Sequence, residues 1–111
     1  MANTAPHDPD FDAHSQACLT GLLDALDAFD PDELEADLAA GVLKIQFADG
    51  KVCILNRQSA ASQIWLAEGA QAWHFSFDPD QGDWLDTKGR GKLEDILSET
   101  VSARLGRPIR L

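Results

Sequence analysis

"GVLKIQFADGKVCILNR", residues 41–57, consists of two alternating apolar runs joined by Asp-Gly. Leu43, Ile45 and Phe47 fall on one side of the first run, Lys44 and Gln46 on the other. A period of two is the mark of a strand with one buried and one wet face. Asp49-Gly50 between the runs predicts a two-residue hairpin turn, with "KVCILNR" as the antiparallel return strand.

The same alternation extends in both directions. Upstream, in "FDPDELEADL" (29–38), Leu34, Ala36 and Leu38 alternate with Glu35 and Asp37, giving a strand with an acidic outer edge. Downstream, "QSAAS" connects to "QIWLA", "EGAQ" leads into "AWHFSF", and "DPDQGD" turns into a short last strand around Trp84 and Leu85. The flanks change period. From Phe11 to about Phe29, apolar residues at Phe11, Cys18, Leu19, Leu22, Leu26 and Phe29 step by helical spacings, and Pro31 supplies the stop. Leu93, Ile96, Leu97, Val101 and Leu105 form a second helical stripe, closed by Gly106 and Pro108. The expected fold is α+β, a two-layer αβ sandwich. Its N- and C-terminal helices pack on one face of a five- to six-stranded antiparallel sheet whose other face meets solvent. Residues 1–9 read as a disordered lead-in and residues 10–111 as a single domain.

Charge is distributed unevenly. The net charge is −10, and no basic residue precedes Lys44, whereas residues 1–43 hold ten carboxylates. The other nine acids are matched by nine Lys and Arg, so the N-terminal part carries the whole imbalance. A field with one negative pole suits a basic protein surface or metal cations. It disfavours nucleic acid and anionic membranes, whose phosphates call for Lys and Arg. The N-terminus has neither the basic residue nor the apolar stretch of a signal peptide, which points to the cytoplasm. No segment approaches the about 20 apolar residues of a membrane helix.

Enzymatic signatures are missing: there is no glycine-rich phosphate loop after a strand, no GxSxG elbow and no HExxH. His7, His14 and His74 are scattered and read as unrelated surface residues. Cys18 and Cys53 have no CxxC spacing and read as two reduced thiols, with one helix-to-strand disulfide as the alternative. The best chemical candidate is an acidic ridge: Asp24 and Asp27 at the helix end, Asp30, Asp32 and Glu33 in the turn, Glu35 and Asp37 on the strand edge. Acids at a helix C-terminus oppose its partial negative charge, and crowding like charges costs stability. Such oxygen donors suit hard or borderline cations, iron included, bound weakly with water in several positions. The plain alternative is a solvated charged face.

Trp65 is the second candidate. Ile64 and Leu66 claim the inner side of their strand, which puts Gln63 and Trp65 on the outer side, near Asn56, Arg57 and Gln58. A Trp ringed by amides and a guanidinium has the composition of a protein-contact hot spot; the competing reading is a core Trp with the alternation misplaced by one residue.

"LNRQSAASQIWLA" (55–67) followed by "AWHF" (72–75) resembles the core motif of the frataxin family in its bacterial form, and the similarity runs from Phe11 onward. The chain departs from the family pattern at Ala25 and Ala28 between the helix acids, at "SAAS" without its usual proline, at Asp12 and at Trp73. The resemblance implies an iron-binding regulator of iron–sulfur cluster assembly, cytosolic, not an enzyme apart from an open question of ferroxidase activity, and a monomer without iron. It assigns Asp24, Asp27, Asp30, Asp32, Glu33, Glu35 and Asp37 to weak binding of ferrous or ferric iron. It assigns Asn56, Gln63 and Trp65 to contacts with the partners, a cysteine desulfurase and its scaffold protein. The rival reading is a small acidic dimeric chaperone of the secretion-effector type.

Overall fold

The computed structural model describes residues 9–111. Helix α1 spans Phe11–Leu26; strands follow at β1 Leu34–Ala39, β2 Val42–Phe47, β3 Val52–Gln58, β4 Gln63–Glu68, β5 Gln71–Asp78 and β6 Asp83–Asp86; helix α2 spans Leu93–Leu105. The strands pair in chain order, each antiparallel to the next. This is the α+β sandwich expected, with two helices on one face of a six-stranded sheet. The expected lead-in over residues 1–9 lies outside the described residues, apart from Pro9 in a turn with Asp10.

Alternation places the core. Leu43, Leu55, Leu66 and Trp73 stand opposite one another across β2 to β5 and form a continuous inner row. With Ile45, Phe47, Ile64 and Phe75 they are buried against Leu19, Leu22 and Leu26 of α1 and Leu93, Leu97 and Val101 of α2. Full burial of one such aliphatic side chain contributes about 1.5–3 kcal/mol. Ser15, which falls on the same face of α1, is also fully buried; its hydroxyl donates to the Asp12 carbonyl at 3.3 Å, offsetting the desolvation.

Three local expectations are corrected. Helix α1 ends at Leu26, not near Phe29: Ala28 and Phe29 donate to the carbonyls of Ala25 and Leu26 three residues back. Such tightening is common where a helix runs out of four-back partners, and Phe29 still packs half-buried on the core from this turn. Cys18 is only half-buried, because its position lies at the margin of the stripe. The Asp49-Gly50 hairpin has a three-residue loop: Phe47 donates to Lys51 and Gly50 to Phe47, with Gly50 at φ 86°. That is a turn followed by one left-handed residue, a geometry glycine adopts without strain. The two-residue hairpin instead joins β1 to β2 at Ala40-Gly41, where φ is positive at both positions. A Cβ on Gly41 would lie 2.7 Å from the Arg57 Nε and would displace that guanidinium, in addition to the strain of a side chain at φ 77°.

One polar cluster fixes how β6 hands over to α2. Asp86 is buried, and Arg90 grips its two oxygens from Nε at 2.7 Å and Nη2 at 2.9 Å. The backbone N–H groups of Lys88 and Arg90 donate to the same carboxylate, and the guanidinium also bonds the Ala72 carbonyl and sits 5.6 Å from the Trp73 ring centre. These donors, the guanidinium first, hold Asp86 down to about 2 from an ordinary 3.8. The depressed value means that its contribution is full above the unfolded-state pKa and is lost as pH falls from about 4 towards 2. Asp86→Asn is expected to lower Tm at pH 7 by about 5 °C and to flatten the acid limb below pH 4, measured by thermal melts across pH 7 to 2.

Candidate functional site

The acidic residues divide into those that meet and those that do not. Asp24 and Asp27 are exposed at the end of α1, and Glu35 and Asp37 are exposed on the outer face of edge strand β1. A cleft of about 470 Å³ is lined by Asp27, Glu35 and Asp37 together with Phe29, Pro31 and Leu34. Lys44 and Gln46 line the same cleft, directly opposite Asp37 and Glu35 in the pairing of β1 with β2. Asp24, Asp30, Asp32 and Glu33 lie outside it. Asp30 is occupied as a turn former, its Oδ1 accepting the Asp32 N–H at 2.9 Å.

Glu33 is committed elsewhere. Both its oxygens are held by the Arg107 guanidinium, Nη2 to Oε1 at 3.0 Å and Nη1 to Oε2, which keeps its carboxyl below the usual 4.5. Of the seven carboxylates expected to form a ridge, Asp27, Glu35 and Asp37 line this cleft, and Glu33 is held by Arg107. No three His, Cys, Asp or Glu side chains converge as a metal-holding group among the described residues. The donors are hard oxygens and fit a cation held weakly through water, not a closed coordination cage.

The outer face of the sheet carries the second surface. Val42, Asn56, Trp65 and His74 stand opposite one another across β2 to β5, displaced by one residue from the buried inner row. Trp65 is half-buried, so it is not a core residue. Its indole Nε1 donates to Gln63 Oε1 at 2.8 Å, and its ring stacks on His74 with centroids 4.2 Å apart and planes 11° from parallel. The two exposed large aliphatic residues among those described, Val42 and Ile54, at 37% and 39% exposure, lie on this same face. Solvated aliphatic side chains beside a half-buried Trp make a surface with the composition of a contact patch.

One neighbour expected around Trp65 is absent from that face. Arg57 pairs with Ile64, on the opposite side of the sheet, and its guanidinium packs over Gly41. His74 is the residue missed: read as a stray surface histidine, it is the stacking partner of Trp65. The signal was the "EGAQ" stretch, since a two-residue loop at Gly69-Ala70 forces residue 65 to face residue 74.

The remaining candidates are structural. Cys18 and Cys53 are both free thiols, pushed up to about 12 by burial first and then by Glu94 and Glu68 respectively. Neither is a thiolate at neutral pH. His14 stacks on Phe77 at 4.1 Å and lines a separate, mainly apolar groove of about 440 Å³ with Leu22, Trp84, Leu93 and Leu111. None of the expected site residues lines that groove.

A family model of the frataxin-like domain matches residues 5–107. The iron-sulfur cluster assembly protein CyaY of Thioalkalivibrio sulfidiphilus is 42% identical over 105 residues, covering 94% of this chain and 98% of that protein. That of Dechloromonas aromatica is 39% identical, covering 92% and 95%. Among solved structures, the frataxin of Psychromonas ingrahamii superposes with a TM-score of 0.83 at 18% identity over 95% of this chain and 97% of that one, a likeness of fold. Trimeric frataxin from Saccharomyces cerevisiae, complexed with ferrous iron, gives a TM-score of 0.74 at 25% identity, covering 96% and 94%.

The two sides of β4 should respond differently to truncation. Leu66→Ala is expected to cost about 2–5 kcal/mol in urea unfolding, and Trp65→Ala about 1 kcal/mol. Equal losses would mean that the indole is part of the core.

Proposed function

Because this chain belongs to the frataxin-like family, we propose that it is a non-catalytic regulator and adaptor of iron–sulfur cluster assembly, working in the cytoplasm with a cysteine desulfurase and its scaffold protein. The observation that carries the proposal is the half-buried Trp65 on the outer sheet face, in a sheet whose edge strand lines a carboxylate cleft. The two features divide the work. The uncompensated negative pole steers a basic surface towards the chain, and Trp65 with Asn56 and Gln63 supplies short-range specificity.

Iron enters this reading as cargo. Asp27, Glu35 and Asp37 hold ferrous or ferric ions loosely from oxygen atoms, with Asp24, Asp30 and Asp32 extending the negative field. Glu33 contributes least of the seven, since Arg107 occupies both its oxygens. No ferroxidase step is part of the proposal. The chain acts as a monomer when iron is absent, and no helix among the described residues is long and apolar enough to cross a membrane. The family match leaves the dimeric chaperone reading without support.

Calorimetric titration of this protein into its host's cysteine desulfurase tests the proposal. Micromolar binding is expected to weaken about tenfold between 50 and 300 mM salt, because the pole is exposed and screened over about 8–10 Å. A triple variant, Asp27→Asn with Glu35→Gln and Asp37→Asn, should lose about as much affinity and most of the salt dependence. Salt-independent binding, or no binding by folded wild type, would contradict it. In anaerobic ferrous iron titrations the same triple variant should lose at least half of the bound iron, whereas Glu33→Gln should stay within about twofold of wild type.

A further inference from the structure

Resting on the docking role of Trp65, we propose that Gln63 and His74 are positioning residues that hold its indole in one orientation before a partner arrives. Two residues apart on one strand, Gln63 and Trp65 point to the same face about 7 Å apart, a gap that the amide closes with its 2.8 Å bond to Nε1. An indole N–H only donates, so Gln63 presents its oxygen to the ring. His74 stands in register on β5 and covers one face of the indole.

This stack is the tighter and more parallel of the tryptophan contacts. Phe11 and Phe77 meet Trp84 at 6.0 Å and 5.3 Å with planes 75° and 56° apart, the edge and tilted geometries of ordinary core packing. Gln63 and His74 are themselves only half-buried, and the sheet register is already fixed by the buried inner row. Fold stability therefore does not account for the arrangement. Its effect is to immobilise a half-exposed side chain that would otherwise lose rotamer freedom on binding, which is how preorganisation raises affinity. It also consumes the one indole donor within the chain. The partner meets Trp65 through the ring's remaining apolar surface, not through a hydrogen bond to Nε1.

The test begins without a partner. The Trp65 indole N–H signal, identified by its loss in Trp65→Phe, is followed by NMR for solvent exchange and order parameter in ¹⁵N-labelled protein. Exchange should accelerate about fivefold in Gln63→Leu, and the order parameter should fall in His74→Ala, as expected for losing one exposed hydrogen bond or one cross-strand ring contact. Gln63→Glu keeps an acceptor and His74→Tyr keeps a ring, so both should stay close to wild type. Trp73 and Trp84 indole signals, unchanged in every variant, report an intact core.

The second arm measures affinity for the cysteine desulfurase. Gln63→Leu and His74→Ala should each weaken binding about three- to tenfold, but less than twofold when Trp65 is already Ala. Unaltered Trp65 exchange and order in both variants would overturn the proposal, as would undiminished losses in the Trp65→Ala background. Absence of desulfurase binding by wild type would remove the docking role and leave the indole measurements to decide the positioning on their own.

Discussion

A slip of one residue in the pairing of β3 with β4 would exchange Trp65 with Leu66, and the surface with the core. The structure depends on this parity. It is enforced from inside, where Leu43, Leu55, Leu66 and Trp73 line up in one buried row, and by the short connections on either side of β4, residues 59–62 from β3 and Gly69-Ala70 to β5. Register is strongly specified when one sheet face is buried, since a slip would expose every inner residue at once. The outer row of Val42, Asn56, Trp65 and His74 is thus positioned by residues it never touches.

Charge follows a comparable division of labour. Arg90, Lys92, Arg104, Arg107 and Arg110 pair with Asp86, Asp83, Glu68, Glu33 and Asp95. Four of those five acids belong to the later part of the chain, where cations and carboxylates are balanced in number. Asp24, Asp27, Glu35 and Asp37, all exposed, define a negative pole at the end of α1 and along β1. Arg107 ties the segment after α2 to the start of β1, so the neutralised Glu33 has a structural use. Apart from the buried Asp86, these pairs are partly or fully exposed and contribute little to stability; their main consequence is where the field remains.

The sequence was most legible where periodicity is repeated many times. Strand existence, chain-order pairing and the stripe of α2 followed from alternation and from Gly106, whose φ of 72° ends the helix as expected. Turn geometry was less legible: Asp-Gly signals a hairpin, yet loop length depends on which residues pair beyond it, and Phe47 pairs with Lys51. Exposure of Trp65 was readable from Ile64 and Leu66; its partner His74 was not, because a cross-strand contact becomes visible only after the register is known. The acidic ridge was readable as composition but not as geometry. Burial of Ser15, the diversion of Glu33 to Arg107, and the grip of Arg90 on Asp86 arise from contacts between elements that leave no periodic trace in the chain.

The central claim is that one face of this sheet, together with the adjoining carboxylate cleft, is what the assembly machinery recognises. The most direct measurement is an NMR footprint of the ¹⁵N-labelled chain on stepwise addition of its cysteine desulfurase. The account predicts line broadening on the outer residues of β2 to β5, centred on Trp65, and on Asp27, Glu35 and Asp37, with α2 and the groove between Leu22 and Leu93 unaffected. Broadening confined to α2 and that groove, with the Trp65 region unchanged, would contradict it.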